Sequence, residues 1–308
     1  MYYDMNWGNK RVLVTGGAGF IGSHIARKLV DQKADVVVLD NFSFGKTNKV
    51  PKECHVIGGN VADAEAFKEV GDIDYIFHFG AGSSVILFNE NPQRNIHETL
   101  SGFVNIMNLA SARGVKKVIF PSSGSVYGKA PVPHSEERSV PKPTNLYGKC
   151  KQICEYISSL YSVPTVGLRI FAGYGPGEDH KGRIASVVTL FLNSVLKEES
   201  PIIYGNGCQR RDFVYIDDVT DAILNSAEEH IRGIINVGSG QSYSFNEVLD
   251  VLNEVLDKRV KARYIDKPVD YLETTLADTA KMKELLKVSP VCLKDGIKRY
   301  LLAEGVIS

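Results

Sequence analysis

Apolar residues come in two alternating rhythms along this chain. Short unbroken apolar runs, typical of buried strands, are followed by stretches in which apolar residues recur every three or four positions, the spacing of one helix face. The first such pair is the run 12–14 with Ile21, Ile25, Leu29 and Val30 behind it, and the second strand is 35–39, DVVVL. Further strands are predicted at 54–58, 74–79, 117–120, 163–170 and 234–237. Helices are predicted over 95–112, where Ile96, Leu100, Phe103, Ile106, Met107 and Ala110 form a stripe, and from Asn145 to about Tyr161. Others are expected over 182–197, 245–256 and 279–286. Between Lys129 and Thr144, Pro131, Pro133, Pro141 and Pro143 exclude a helix.

The joint between the first strand and its helix, RVLVTGGAGFIG at 11–22, is rich in glycine. Gly16, Gly19 and Gly22 are three apart, so the backbone turns sharply and approaches a pyrophosphate closely, while helix and strand pack tightly. Unpaired N–H groups and the dipole at the helix start favour an anion. Asp40 ends the second strand, eighteen residues past Gly22, where a dinucleotide site needs a carboxylate for the ribose hydroxyls. No Lys or Arg follows Asp40 until Lys46, which favours NAD over NADP. A glycine-rich turn also occurs as bare structure; strand, helix and Asp40 together carry the cofactor reading. The polar loop 41–51 then passes near the adenosine, and Gly59, Asn60, Val61 and Asp63 fall at a sheet edge where adenine would lie. After the fourth strand, Gly80, Ala81, Gly82, Ser83 and Ser84 either let the chain pass close to a ligand or form an ordinary glycine loop.

Two further stretches carry candidate chemistry. The fifth strand stops at PSSGSVYG, 121–128, placing hydroxyls at the carboxyl end of a central parallel strand, where such sheets bind ligands. Tyr147 and Lys151 are four apart on a helix, hence on one face. A free tyrosine titrates near pH ~10. A neighbouring ammonium and a nicotinamide cation would draw the phenol down until it exchanges protons near neutrality.

Composition removes several alternatives. Lys plus Arg and Asp plus Glu balance at 36 each, so no overall field attracts nucleic acid or an anionic membrane. No apolar run approaches the roughly 20 residues of a membrane span, and residues 1–10 lack an apolar signal core, so a cytoplasmic protein is expected. The five cysteines include no CxxC, and Cys150 and Cys154, which share a helix face, read as buried thiols. Neither they nor the seven histidines show metal-ligand spacing, so no metal is expected.

TGGAGFIG at 15–22, Asp40, the stretch 122–128, Tyr147-Gly-Lys-Cys-Lys151, LRIFAGYGPG at 168–177 and RRDFVYIDDV at 210–219 together resemble an extended short-chain dehydrogenase/reductase of the nucleotide-sugar epimerase/dehydratase family. The resemblance covers nearly the whole chain. It implies an α/β fold, a Rossmann-type doubly wound parallel sheet with a smaller carboxyl-terminal substrate-binding domain. Residues 1–172 would form the NAD-binding part, with a returning segment near 211–240, and 173–308 mainly the nucleotide-sugar part. By this resemblance Ser123 hydrogen-bonds the reacting sugar hydroxyl, Tyr147 is the acid/base, and Lys151 holds the nicotinamide ribose and lowers the phenol's pKa. Gly16, Gly19, Phe20, Ile21, Asp40, Asn41, Asn60, Val61, Gly80, Ala81 and Gly82 would complete the NAD site. The sugar nucleotide would meet Ser83, Ser125, Phe171, Ala172, Tyr204, Arg211, Lys267, Asp270 and Thr275. Arg211 matches the family arginine on the nucleotide phosphates; an ion pair with Asp212 is the other reading of it. A homodimer is implied, through the helices at about 95–112 and 146–161.

The departures narrow the chemistry. Dehydratases of this family follow the catalytic hydroxyl with an acidic residue, whereas Gly124 and Ser125 stand here, so neither 4,6-dehydration nor the related decarboxylation is expected. Ala172 stands where many epimerases have Asn, Thr99 where Asn commonly approaches the cofactor, Asn60 where Asp is frequent, and Lys267 where a second phosphate-binding Arg is usual. The reading is an NAD-dependent epimerase of a nucleoside-diphosphate sugar, at C4 of a UDP-hexose or UDP-N-acetylhexosamine, acting through a transient 4-keto sugar. A nucleotide-sugar reductase or dehydrogenase and a non-catalytic NAD(H)-responsive binding protein are the alternatives. Aligned on Ala277-Asp278, Thr275 stands at the sugar wall where a bulky Tyr would exclude an acetamido group.

Overall fold

The computed structural model describes residues 5–266 and 272–307. Its strands are β1 (Arg11–Thr15), β2 (Asp35–Asp40), β3 (His55–Gly58), β4 (Tyr75–His78), β5 (Lys117–Ser123), β6 (Thr165–Ile170), β7 (Ala172–Tyr174), β8 (Ile202–Tyr204), β9 (Arg210–Tyr215), β10 (Gly233–Val237), β11 (Ser242–Ser244) and β12 (Arg263–Ile265). The helices are α1 (Phe20–Asp31), α2 (Val85–Glu90), α3 (Pro92–Ala112), α4 (Leu146–Ser158), α5 (Val187–Leu196), α6 (Ile216–Asn225), α7 (Phe245–Leu256) and α8 (Leu293–Ala303).

Seven strands make one parallel sheet in the order β10-β6-β5-β4-β1-β2-β3. Side chains alternate across it. Val12 and Val14 enter the core shared with α1 and the later helices, whereas Leu13 enters the core shared with Phe103, Ile106 and Met107 of α3. The chain builds outward from β1 to β3, then returns to lay β4 on β1's other side, so the order reverses between β1 and β4. Ligands bind at the strand carboxyl ends beside such a reversal. Two smaller sheets, β11-β9-β7 and β12-β8, carry the rest of the strand structure.

Several expected boundaries move for local reasons. β5 runs on through Pro121 to Ser123, because β4 pairs with it only as far as Ile119 and asks no donor of the proline. The helix expected over 182–197 begins at Val187: Gly182 takes a left-handed φ of 52°, and the Ser186 side chain caps Thr189 N. The segment expected as a helix over 279–286 winds as a π turn at Met282–Leu286 and stops at Lys287, φ 56°. The short α2 was not anticipated; Ser84 caps it and Asn91 ends it, so it has fewer than two turns in which to show a period.

Candidate active site

One cavity of about 510 Å³ opens along the carboxyl ends of β1, β2, β4 and β5. At its centre is the turn Thr15–Gly19. Gly16 adopts φ 70°, and a Cβ there would lie 2.5 Å from Phe79 O; a Cβ on Gly22 would lie 2.1 Å from Gly16 O. Only glycine permits this closeness, and it brings bare backbone to the cavity. Gly19 caps α1 without a side-chain hydrogen bond, and no acidic residue stands in the first turn, so the amides at Phe20 and Ile21 remain suited to an anion.

Asp40 ends β2 with both oxygens fixed, Oδ2 accepting from Ala18 N at 2.9 Å and Oδ1 from Phe42 N at 2.8 Å. An ionised carboxylate has about four acceptor sites, so these bonds orient it and leave capacity for ribose hydroxyls. Asn41 lines the cavity, its Oδ1 accepting from Ser43 N and Oγ. Across the reversal, Gly80 N donates to Thr15 Oγ1, which also meets His78 Nδ1 at 2.8 Å. Burial and the Lys151 charge push His78 down to about 3, so its ring is neutral here. Ala81, Gly82 and Ser83 continue the wall, and a Cβ on Gly82 would come within 2.5 Å of Asn95 Oδ1.

One end of the cavity is built where β5 meets α4. Ser123 Oγ accepts from Ser125 N at 3.1 Å and stands beside the Tyr147 phenol, which it draws down. Asn145 caps α4 through Gly148 N, and a Cβ on Gly148 would lie 2.7 Å from Ser125 O, so helix and serine turn touch backbone to backbone. Phe88 of α2 packs edge-on to the Tyr147 ring, centroids 5.5 Å apart, and Lys151 Nζ lies 5.7 Å from that ring. The sequence reading draws the phenol down by Lys151 and a nicotinamide cation acting together. The protein's own groups alone leave the phenol high: burial raises Tyr147, only partly offset by Ser123, and burial lowers Lys151. Two turns after Tyr147, Glu155 accepts from Ser122 Oγ and takes the Arg169 guanidinium bidentately, at 2.8 and 2.7 Å.

The other wall comes from the later chain. Phe171, Ala172, Arg211 and Thr275 line it, joined by Phe213, Phe245 and Leu272. Arg211 Nη1 donates to Arg210 O at 2.8 Å and its guanidinium lies 5.7 Å from the Phe245 ring. Asp212 does not supply the ion pair considered for Arg211; its carboxylate accepts from Ser239, Gly240 and Ala277 instead. Thr275 Oγ1 accepts from Asp212 N at 3.4 Å, which leaves its hydroxyl proton for another partner.

Among the described residues, the positions assigned to the NAD, sugar-nucleotide and proton-transfer sites line this cavity except Tyr204, and Asp63, expected near the adenine, also lies outside it. Tyr204 lies on β8, where alternation sends Ile203 into the core and leaves Tyr204 39% exposed outside the cavity. Lys267 and Asp270 lie outside the described residues. Thr99 is buried behind the cavity wall. Sequence reasoning missed Asn95 and Glu98 of α3 and the segment around Lys181. Polar and small residues at Asn95, Glu98 and Gly102, at helical spacing, were the available signal. Among the described residues no three His, Cys, Asp or Glu side chains group to hold a metal.

Fold and cavity define a Rossmann-type dinucleotide enzyme whose cavity gathers Ser123, Tyr147 and Lys151 at one end. The family model of the NAD dependent epimerase/dehydratase family matches residues 12–238, and the chain belongs to that family. It is 35% identical over 298 residues to a putative UDP-glucose 4-epimerase of Methanocaldococcus jannaschii, covering 94% of this chain and 97% of that one. Among solved structures it resembles UDP-N-acetylglucosamine 4-epimerase from Methanobrevibacter ruminantium in complex with UDP-N-acetylmuramic acid, with a TM-score of 0.88, 32% identity, and 96% and 99% of the two chains covered. UDP-glucose 4-epimerase of Thermus thermophilus in complex with NAD gives a TM-score of 0.89, 32% identity, and 96% and 100% coverage.

Proposed function

We propose that this chain is an NAD-dependent epimerase of a nucleoside-diphosphate sugar, acting at C4 of a UDP-hexose or UDP-N-acetylhexosamine through a transient 4-keto sugar. The observation that carries it is that Ser123, Tyr147 and Lys151 line one cavity with the glycine turn and Asp40. NAD bound there supplies a hydride acceptor and donor. Ser123 holds the reacting hydroxyl and Tyr147 takes its proton, returning it after the ketone has turned over. Lys151 orients the nicotinamide ribose.

The carboxylates favour epimerisation over loss of water. Among the described lining residues the acids are Asp40 and Glu98. Asp40 ends β2, separated from β5 by β1 and β4, and Glu98 bonds Asn60 just past β3. Neither is at the Ser123 end to protonate a leaving hydroxyl. Arg211 is read on the nucleotide phosphates and Thr275 on the sugar wall, where its small size suits an acetamido group. We read residues 1–172, with a returning segment near 211–240, as the cofactor part and 173–308 as mainly the sugar-nucleotide part; β10 in the main sheet supports the return.

A homodimer through α3 and α4 fits the apolar side chains α4 and its end leave exposed, Leu146, Ile153, Tyr156 and Leu160. Five free cysteines suit the reducing cytoplasm. Incubation with a panel of nucleotide sugars, read by product chromatography, tests the function. Interconversion of 4-epimers is expected; accumulation of a dehydrated or reduced sugar would replace the proposal.

A further inference from the structure

The carboxyl ends of β2 and β3 lie side by side, with Asp40 in register with Gly58. If Asp40 holds the adenosine ribose, the base has to lie beyond it, over the end of β3, where Gly59, Asn60 and Val61 line the cavity. Glu98 reaches the same place from α3 and also lines the cavity, its side chain 15% exposed.

Its carboxylate is held there by two donors. Asn60 Nδ2 donates to Oε1 at 2.9 Å, and Arg94 Nε donates to the same oxygen at 2.9 Å; Oε2 takes part in neither bond. The orientation of Asn60 is fixed in turn, because its Oδ1 accepts from Ala62 N at 3.0 Å and so turns the amide nitrogen toward Glu98. Arg94 approaches from the solvent side, 48% exposed. A helix ion pair for its own sake needs no asparagine from a different loop to hold it. The outcome is an acceptor, Oε2, beside a spare amide N–H at the place the base must occupy.

We propose that Glu98, positioned by Asn60, reads the exocyclic amine of the cofactor's purine and makes the site selective for a 6-aminopurine dinucleotide. An ionised carboxylate only accepts hydrogen bonds. Adenine presents an amine donor at its C6 position, which completes a charge-assisted hydrogen bond. Hypoxanthine presents a carbonyl there, acceptor against acceptor. The inference rests on NAD occupying this cavity with its adenosine ribose at Asp40.

The test uses the purified protein whatever dinucleotide it carries. It is dialysed to equilibrium against equimolar NAD and nicotinamide hypoxanthine dinucleotide, and the bound dinucleotides are released and quantified by chromatography. The unmodified protein should hold NAD over the analogue by about tenfold or more, the scale of one hydrogen bond to a charged group. In Glu98→Gln the amide offers either polarity, so the ratio should fall toward one. In Asn60→Ala, which keeps the carboxylate and removes its holder, the ratio should be intermediate. An unchanged ratio in Glu98→Gln, or no preference in the unmodified protein, overturns the role of Glu98. If the same dialysis against NAD and NADP shows no preference for NAD, the placement of the ribose at Asp40 fails, and this inference with it.

Discussion

The Lys151 ammonium lies 5.7 Å from the centre of the Tyr147 ring, and burial moves the two in opposite directions, the phenol up and the ammonium down. Both shifts favour neutral forms. A positive charge beside the phenol would act the other way, and on the proposed mechanism the nicotinamide of NAD would bring one.

Phenol titration, followed by tyrosinate absorbance, should therefore move to lower pH when NAD binds. Because the base form of Tyr147 is the reactive one, a higher phenol pKa carries the acid limb of the rate profile to higher pH. Ser123→Ala, which removes the one group that lowers the phenol, should shift that limb upward, and an unshifted profile would remove Ser123 from the proton chemistry.

Tyr147→Phe keeps the ring and its packing on Phe88 but deletes the proton carrier. Turnover should fall by roughly 10²–10⁴, with nucleotide-sugar affinity little changed. Steady-state rates and binding titration separate the two, and near-normal turnover would sink the mechanism.

How much of this was legible in the sequence differs from element to element. The strands of the main sheet and α7 carry unbroken or periodic apolar patterns, and their positions were readable within a few residues. Ser123, Tyr147 and Lys151 stood in motifs. Glu98 did not, because its role depends on α3 passing the end of β3, a contact between residues 38 apart. Tyr204 falls outside the cavity, because the resemblance says nothing of which face of the short β8 it occupies. The raised phenol reflects enclosure, which no local pattern encodes.

Asp40→Ala removes the carboxylate from the expected ribose site and frees Ala18 N and Phe42 N. The preference for NAD over NADP should shrink by about tenfold or more, a lost hydrogen bond to a charged group being worth ~1.5–3 kcal/mol. Titration with both dinucleotides measures it; equal affinity for the two in the unmodified protein would contradict the role of Asp40.

Thr275→Tyr should narrow the sugar pocket. UDP-N-acetylglucosamine and UDP-N-acetylgalactosamine are expected to interconvert within about tenfold of the rate of the plain hexoses, about 1.4 kcal/mol in barrier. The variant should suppress the acetylated pair selectively, overfilling a packed site by ~1–3 kcal/mol. Equal loss for both pairs would take Thr275 out of the specificity.

His134 is fully buried against Tyr127, ring centroids 4.7 Å apart, and burial pushes it down to about 4. The unfolded chain takes up a proton near pH 6.5 that the folded one refuses, so stability should fall with pH from 6.5 toward 4, by ~1.4 kcal/mol per unit. Asp218, raised to about 6 by burial, opposes this in the same range. His134→Phe keeps the stacking and removes the proton site, so denaturant unfolding at pH 5 should show the variant gaining on the unmodified protein relative to pH 7.5. An identical pH dependence would overturn the assignment.

The Glu155 carboxylate joins Ser122 of β5, its own helix α4 and Arg169 of β6. Sliding α4 by one residue would strip a buried charge of its partner, a loss of ~3–5 kcal/mol. Arg211, Leu272 and Thr275 hang on a separate small sheet and its flanking segment, with no share in that clamp. If Tyr147 and Thr275 act as proposed, the frame around the proton transfer is held by a buried ion pair that the wall facing the sugar does not share, so substitutions in that wall should change which sugar is accepted more readily than how it reacts.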